Sequence, residues 1–432
     1  MRLAWVPILL ASGAAVAQPA ADTLTLDRAI EIALAQQPAI RQSRAAIEAA
    51  NGRVDLARVA RKPTVTLSAT AGYGSAPVRA CADDPTKSCG GFFDPTASTS
   101  VGARADWRIY DFGQTAANIR AAELAAEATT VGQTTTVLDI RTNVEVAFLE
   151  AVARRRLVQV AETTVKSEEV HLDQAKRFVA AQAKDPIEVA QAQARAANAK
   201  STLAQAQSAE AIALANLRAA IGWVDASHLP VVAADWPTPP AAEPGALAAL
   251  VESSRSHRPE IIQLDKQIAS AQANLDAAIA ERRPTLSATA STQWSPDSSD
   301  WSPEPSWAAG LTLSWQLFDG GRGKADQRIA RANVVAAQAE RDALLVSLTS
   351  QLDSARAQII ANRAAVTASN EAVDAARAQL KLAEARYAQG LGSQIELADA
   401  QTAVTTAEGN LVQAQWQLAE AWANLHRQLG GA

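Results

Sequence analysis

Apolar and polar positions change period along this chain in the same order twice. A helix of about 25 residues is expected to end at Pro63, and another at Pro284, because proline cannot continue a helix but can open a strand. Beyond Pro63, Val65, Leu67, Ala69, Ala71 and Tyr73 alternate with Thr64, Thr66, Ser68 and Thr70; beyond Pro284, Leu286, Ala288, Ala290 and Trp294 alternate with Thr285, Ser287 and Thr289. A period of two marks strands with one apolar face. A second strand follows in each case. Val101, Ala103, Ala105, Trp107 and Ile109 oppose Arg104, Asp106 and Arg108, and Trp307, Ala309, Leu311, Leu313, Trp315 and Leu317 oppose Thr312, Ser314 and Gln316.

Very long helices are predicted next, over residues 114–182 and 321–389, each about 100 Å at 1.5 Å per residue. Shorter partners follow, over 187–221 and 393–429. In the last of them Leu397, Val404, Leu411, Leu418 and Leu425 recur every seventh residue, with Ala400, Ala407, Ala414 and Ala421 three positions later. Val189, Ala196, Leu203 and Leu217 repeat this register against Ala192, Ala199, Ala206 and Ala213. Such a large-small alternation is a coiled-coil seam that lets backbones approach closely.

The chain is thus a duplicated helix-strand-strand-helix unit. "PAIRQSRAAIEAANGRVDLARVARKPTVTLSATA" is echoed by "PEIIQLDKQIASAQANLDAAIAERRPTLSATA", and "DWRIYDFGQ" by "SWQLFDGGR". We assign residues 18–222 to the first repeat, with strands about 63–74 and 97–110, and 246–432 to the second, with strands about 284–294 and 306–318. The proline-rich stretch 223–245 reads as a linker.

Composition narrows the function classes. The 432 residues are 48% hydrophobic and carry a net charge of -5, which leaves no basic field for nucleic acid. "MRLAWVPILLASGAAVA" has the arginine, apolar stretch and small-residue end of an export signal, residues 1–17. No cysteine follows the expected cleavage point, so a lipid-anchored N-terminus is not expected. No uncharged apolar run reaches the roughly 20 residues of a membrane helix, so a membrane would have to be crossed by strands. Cys81 and Cys89 share a polar loop and, in an oxidising compartment, are expected to form a disulfide. The four histidines are scattered, and no metal-ligand spacing, nucleophile-base pair or cofactor motif appears. "GGRGK" at Gly320 to Lys324 lacks the first glycine and the Ser/Thr of a phosphate loop and reads as a strand-to-helix turn. No enzyme and no cofactor is expected.

Trp307 and Trp315 would stand roughly 26 Å apart on one apolar face, matching the aromatic girdles of an outer-membrane barrel. Tyr73, Trp107 and Trp294 join them as lipid-interface aromatics. Four strands cannot close a barrel, and open edges are not tolerated in hydrocarbon, so oligomerisation follows.

The signal, the duplicated unit, the strand-to-helix motifs and "RYAQGLGSQIELADAQ" together resemble the TolC family of outer-membrane efflux channels. The resemblance covers essentially the whole mature chain. It implies a mainly α fold with a membrane β-barrel part: a homotrimer whose 12 strands form one barrel, continued by 12 helices into a periplasmic α-barrel. It further implies a passive exit duct of a tripartite efflux or type I secretion system, partnered by a periplasmic adaptor and an inner-membrane pump or ABC-type secretion transporter. The competing reading is a periplasmic coiled-coil adaptor or scaffold, which would have no use for Trp-bounded strands in both repeats.

Glu396 and Asp399 match acids that line the family's periplasmic constriction, where threefold assembly stacks two rings of one sign that filter ions by charge. Tyr387 matches a tyrosine of the same gate, and Gly390, Leu391 and Ser393 resemble the tip turn that meets the adaptor. Gly392 stands where the family's prototype carries a gating arginine. Ser393 and Glu396 also fit a helix capping box, so for Glu396 two roles stand side by side. Asp399 has Gln191 as its counterpart in the first repeat.

Overall fold

The computed structural model describes residues 23–75, 79–80, 88–89, 95–224, 232, 236, 240, 243–294 and 305–431. The export signal, the Cys81–Cys89 bridge and most of the linker lie outside the described residues. In chain order the elements are α1 (Leu26–Gln36), α2 (Pro38–Val59), β1 (Thr64–Ser75), β2 (Arg79–Ala80), β3 (Ser88–Cys89), β4 (Pro95–Tyr110), α3 (Gln114–Ala180), α4 (Ile187–Ile221), α5 (Leu247–His257), α6 (Pro259–Ala280), β5 (Thr285–Trp294), β6 (Ser306–Ser314), α7 (Arg322–Ala388) and α8 (Gln394–Gln428). The two long helices have 67 residues each and their partners 35. No helix of the described residues is long and apolar enough to cross a membrane.

The chain forms two compact units, one of residues 1–38, 137–246 and 353–427, the other of 39–136, 247–352 and 428–432. Neither coincides with a sequence repeat; each draws on both. In the first unit the seventh-residue seam of α8 is the core: Leu397, Ala400, Val404, Ala407, Ala414, Leu418, Ala421 and Leu425 are all buried. Val404 and Ala407 pack on Val373 and Ala376 of α7. In α4 the seam is buried at Ala192, Ala196, Ala213 and Leu217 and only half-buried at Val189, Ala199, Leu203 and Ala206. In the second unit Ala50 and Val54 of α2 pack on Ala126 of α3.

The second unit also holds an antiparallel sheet in the order β1-β4-β5-β6. Its register sorts the faces. Val65 lies opposite Ala105, Leu67 opposite Ala103 and Tyr73 opposite Ala97; Trp107 lies opposite Ala288, and Ala288 opposite Leu311. Opposed residues share a face, so one side is apolar across all four strands. The other carries Thr66 opposite Arg104, Arg104 opposite Ser291, and Ser287 opposite Thr312. Among the described residues nothing pairs with the outer edge of β1 or of β6.

Three details depart from the expected boundaries. Helices α2 and α6 stop at Val59 and Ala280, one turn before the prolines, because Pro63 and Pro284 have no N–H for the carbonyls four residues back and their rings clash with them. Strand β6 stops at Ser314, not near residue 318. Its last partner is Thr285, and the next position on β5 would be Pro284, which has no N–H for the ladder. Trp315 therefore lies just past the strand. In β4 a bulge between Arg108 and Tyr110 sets Tyr110 opposite Leu286, so Tyr110 rather than Ile109 continues the apolar register.

Candidate functional site

The turn joining α7 to α8 is closed by backbone geometry. Gly390 adopts a left-handed φ of 74°, while its N–H donates to Tyr387 O (3.0 Å) and that of Leu391 to Arg386 O (2.9 Å). This is the Schellman arrangement, which favours glycine at its left-handed position. The turn joining α3 to α4 closes the same way without glycine: Gln182 has φ 62°, and Ala183 N–H donates to Phe178 O (2.9 Å). Gly392 is buried under the first turn. A Cβ there would sit 3.0 Å from Tyr387 N and 3.2 Å from the Arg386 carbonyl carbon, so the backbone leaves little room for an arginine.

The two turns meet at Tyr387, which is fully buried. Its hydroxyl lies 3.0 Å from Glu188 Oε2, at the start of α4, and 2.6 Å from Gln394 Oε1, at the start of α8. Its ring packs edge-on against Phe178, with centroids 5.5 Å apart. Lys184 Nζ donates to Gly392 O (3.2 Å), lies 3.5 Å from Glu188 Oε1 and sits 5.5 Å from the centre of the Tyr387 ring. Burial, with the Glu188 carboxylate as a further cause, pushes the Tyr387 hydroxyl pKa up to about 12.

Glu396 and Asp399 lie apart from this cluster, on the exposed side of α8. Ser393 Oγ accepts from Glu396 N–H at 3.1 Å, which caps the helix. The Glu396 carboxylate faces Arg386, 3.5 Å away. Asp399 is exposed and makes no hydrogen bond or ion pair among the described residues. Gly390, Leu391 and Ser393 are exposed as well. The predicted site residues thus divide into a buried tyrosine tie and an exposed acidic and turn surface.

Sequence reasoning missed the partners of Tyr387, and it missed a polar layer behind them. Ser167 and His171 of α3 and Gln401 of α8 are linked: Ser167 Oγ donates to Gln401 Oε1 (2.8 Å) and lies 3.0 Å from His171 Nε2. Since the single serine proton goes to Gln401, His171 Nε2–H is the donor, and its buried Nδ1 has no hydrogen-bond partner. Burial lowers the His171 pKa below its ordinary range, helped by Arg195. Burial raises that of Glu168, 3.5 Å from Arg195 Nε, against the pull of that guanidinium. A signal was present: Gln394 and Gln401, both buried, are spaced seven apart beside the apolar seam.

In the other unit, the sheet carries aromatic residues at both ends. Tyr73, Trp294 and Trp307 stand at the end away from the helices. Trp107 and Trp315 stand at the helix end, where their indole N–H groups donate to Arg61 O (3.0 Å) and Arg282 O (3.1 Å). The apolar face between is open, with Leu67 76%, Leu311 70% and Trp307 81% exposed.

The pattern of the family described as "Outer membrane efflux protein" matches residues 29–223 and 250–431. The chain belongs to that family. Its sequence is 31% identical over 266 residues to Protein CyaE of Bordetella pertussis, covering 61% of this chain and 53% of that protein. It is 27% identical over 193 residues to Outer membrane protein OprJ of Pseudomonas aeruginosa, covering 44% of this chain and 39% of that one. The matches thus span about half, or less, of these two relatives' lengths. The fold of this efflux-family chain is that of the outer membrane protein VceC from Vibrio cholerae, with a TM-score of 0.77 at 20% identity over 94% of this chain and 96% of that one.

Proposed function

We propose that this chain is the outer-membrane exit duct of a tripartite efflux or type I secretion system, a passive conduit for substrates delivered by an inner-membrane transporter through a periplasmic adaptor. The observation that carries this reading is the sheet, whose one face is apolar, exposed and bounded by aromatic rings, and whose two edges are unpaired. Such a sheet is stable in hydrocarbon only when copies close it into a barrel. Three chains supply 12 strands, with the long helices in the periplasm. OprJ and VceC, to which the chain is similar, are outer membrane proteins. An adaptor or scaffold would leave that face without a purpose.

In this reading Glu396 and Asp399 are the charge ring of the periplasmic constriction and Tyr387 holds the gate shut from inside the chain. With arginine absent at Gly392, Arg386 and Lys184 supply the cations of the closed tip. Gly390, Leu391 and Ser393 form the adaptor-docking turn. The test is single-channel conductance in planar bilayers, comparing wild type with Glu396→Gln/Asp399→Asn. A small cation-selective conductance, blocked by divalent cations and freed of both properties in the variant, supports duct and ring together. Pores of unchanged selectivity reduce the acids to a helix cap and an Arg386 partner; no pores from a trimeric preparation sink the duct.

A further inference from the structure

We propose that the helix-proximal end of the sheet is a binding collar for anionic phospholipid, in which paired cations beside each tryptophan hold the headgroup phosphate. This rests on the outer-membrane reading above and adds a ligand class to it. Arg61-Lys62 precede Pro63 and Arg282-Arg283 precede Pro284, so each repeat places two cations at the foot of its first strand, and all four are exposed. Among the described residues none has a carboxylate oxygen within ion-pair distance, although Arg282 is close enough to Asp319 to help the Gly323 and Gly321 N–H groups hold its carboxyl below the usual range. Arg283 Nη1 donates to Phe112 O (2.9 Å), which leaves the rest of its guanidinium free. On the helices of the same unit Arg58 lies 2.8 Å from Glu123 and Lys266 2.7 Å from Glu127, while other helical cations such as Arg41 and Arg53 are exposed and isolated rather than paired side by side. Glu281 is the exposed acid beside the collar. Asp111 and Asp319 are spent on backbone, Asp111 Oδ2 accepting from Thr115 N–H (2.9 Å) and Asp319 Oδ2 from Gly323 N–H (2.8 Å). The Arg108 guanidinium is 3.9 Å from Asp111. The net local charge is positive.

The rings at this level fit the other half of a lipid. The hydrogen bonds from Trp107 to Arg61 O and from Trp315 to Arg282 O set each indole against the backbone of a cation pair. The bulge in β4 brings Tyr110 onto the apolar face, and its counterpart Phe318 is 88% exposed. Phe112 holds a left-handed φ of 52° where the second repeat uses Gly320, φ 66°. The left-handed backbone at Phe112 is uncommon for a bulky residue, and its ring packs on Tyr110 at 4.7 Å between centroids. Arg61, Trp107, Arg108, Tyr110 and Phe112 line one groove together with Asp111, whose carboxylate is hydrogen-bonded to Thr115. Arginine and lysine recognise phosphate by charge-assisted hydrogen bonds, while indole and phenol rings sit at the headgroup level.

The test is native mass spectrometry of the full-length assembly in detergent, titrated with phosphatidylglycerol or phosphatidylcholine. Wild type is expected to prefer phosphatidylglycerol about tenfold. The variant Arg61→Gln/Lys62→Gln/Arg282→Gln/Arg283→Gln should lose that preference, while Arg41→Gln/Arg44→Gln/Arg53→Gln/Arg120→Gln, which removes the same charge from helices, should keep it. Because the quadruple variant can fail to assemble, Arg61→Gln/Lys62→Gln and Arg282→Gln/Arg283→Gln are measured alone, each expected to lose part of the preference. Equal binding of both lipids by wild type, a preference kept in both double variants, or one lost equally in the helix variant overturns the proposal. Bilayer conductance, read separately, tests the duct: pores without lipid preference sink the collar alone, and lipid preference without pores sinks the duct alone.

Discussion

The Tyr387 hydroxyl and the Glu188 carboxylate lie 3.0 Å apart, joining the end of the long helix of one repeat to the start of the short helix of the other. With Gln394 as second partner, this one hydroxyl ties two helix-helix turns of the same chain. Tyr387→Phe keeps the ring packing on Phe178 and takes the hydroxyl away from the buried Gln394 amide, while half-buried Glu188 retains Lys184. A cost of about 1–3 kcal/mol to tip packing is expected. In planar bilayers the variant should open more often than wild type; an unchanged open probability would show that the tie does not hold the gate.

Alkaline pH should act on the same contact. The hydroxyl pKa is raised to about 12, so the folded tip favours the protonated phenol. The stability it contributes is complete below the ordinary tyrosine value near 10 and is lost as pH rises through about 12. The chain has three tyrosines, so tyrosinate absorbance of wild type minus Tyr387→Phe isolates this group. Its titration is expected at about 12, above the ordinary tyrosine value near 10.

Acid should loosen the layer behind it, for the opposite reason. His171 has a lowered pKa, so its contribution is complete above the ordinary histidine value and is lost as pH falls through the folded one. Protonation would place a second N–H on the buried Nδ1, which has no acceptor. Ser167 and Glu168 of α3, Gln401 of α8 and Arg195 of α4 surround it, and Glu168 has the opposite sign: its raised pKa weakens the layer as pH rises. His171→Gln removes only the histidine part. Thermal unfolding of wild type should fall more steeply than that of the variant below about pH 6.5; parallel curves would assign the acid response to other groups.

The parts of this fold that follow from a period were legible in the sequence, and the parts that follow from one chain segment meeting another were not. Alternation gave the sheet faces, because opposed residues such as Leu67 and Ala103 share a side. The seven-residue spacing gave the seam from Leu397 to Leu425. It could not show that Glu188 and Lys184 reach Tyr387 across 199 and 203 positions of sequence, nor that Pro284 ends β6 by depriving Trp315 of a ladder partner. The spacing of Glu396 from Ser393 implies a cap and the family resemblance a channel acid; in the structure Ser393 caps the helix and the carboxylate faces Arg386.

Gly392→Arg is expected to loosen the tip rather than to add a latch. The Cβ would meet Tyr387 N at 3.0 Å and Arg386 Cβ at 3.2 Å, both parts of the turn itself. Relief requires the turn to shift, which weakens the Lys184 bond to Gly392 O. Higher open probability in bilayers is the expected result. A lower one would mean that the turn yields cheaply and the new guanidinium finds a carboxylate.

Leu311 and Thr312 are neighbours on β6 whose side chains point to opposite faces of the sheet, Leu311 opposite Ala288 and Thr312 opposite Ser287. In the single chain both faces are open, so an arginine at either position fits without a clash. In a barrel the two differ, because the apolar face meets lipid and the polar face meets the lumen. Arginine on the lipid face near the bilayer midplane costs about 2–4 kcal/mol per strand, and the proposed threefold assembly would repeat the cost. Leu311→Arg should therefore deplete the heat-modifiable trimer from outer-membrane fractions, while Thr312→Arg should leave trimer abundance near wild type and shift ion selectivity toward anions. Equal loss in both variants would mean that both faces are buried in protein, as in a soluble sandwich, and equal tolerance would mean that neither face meets lipid.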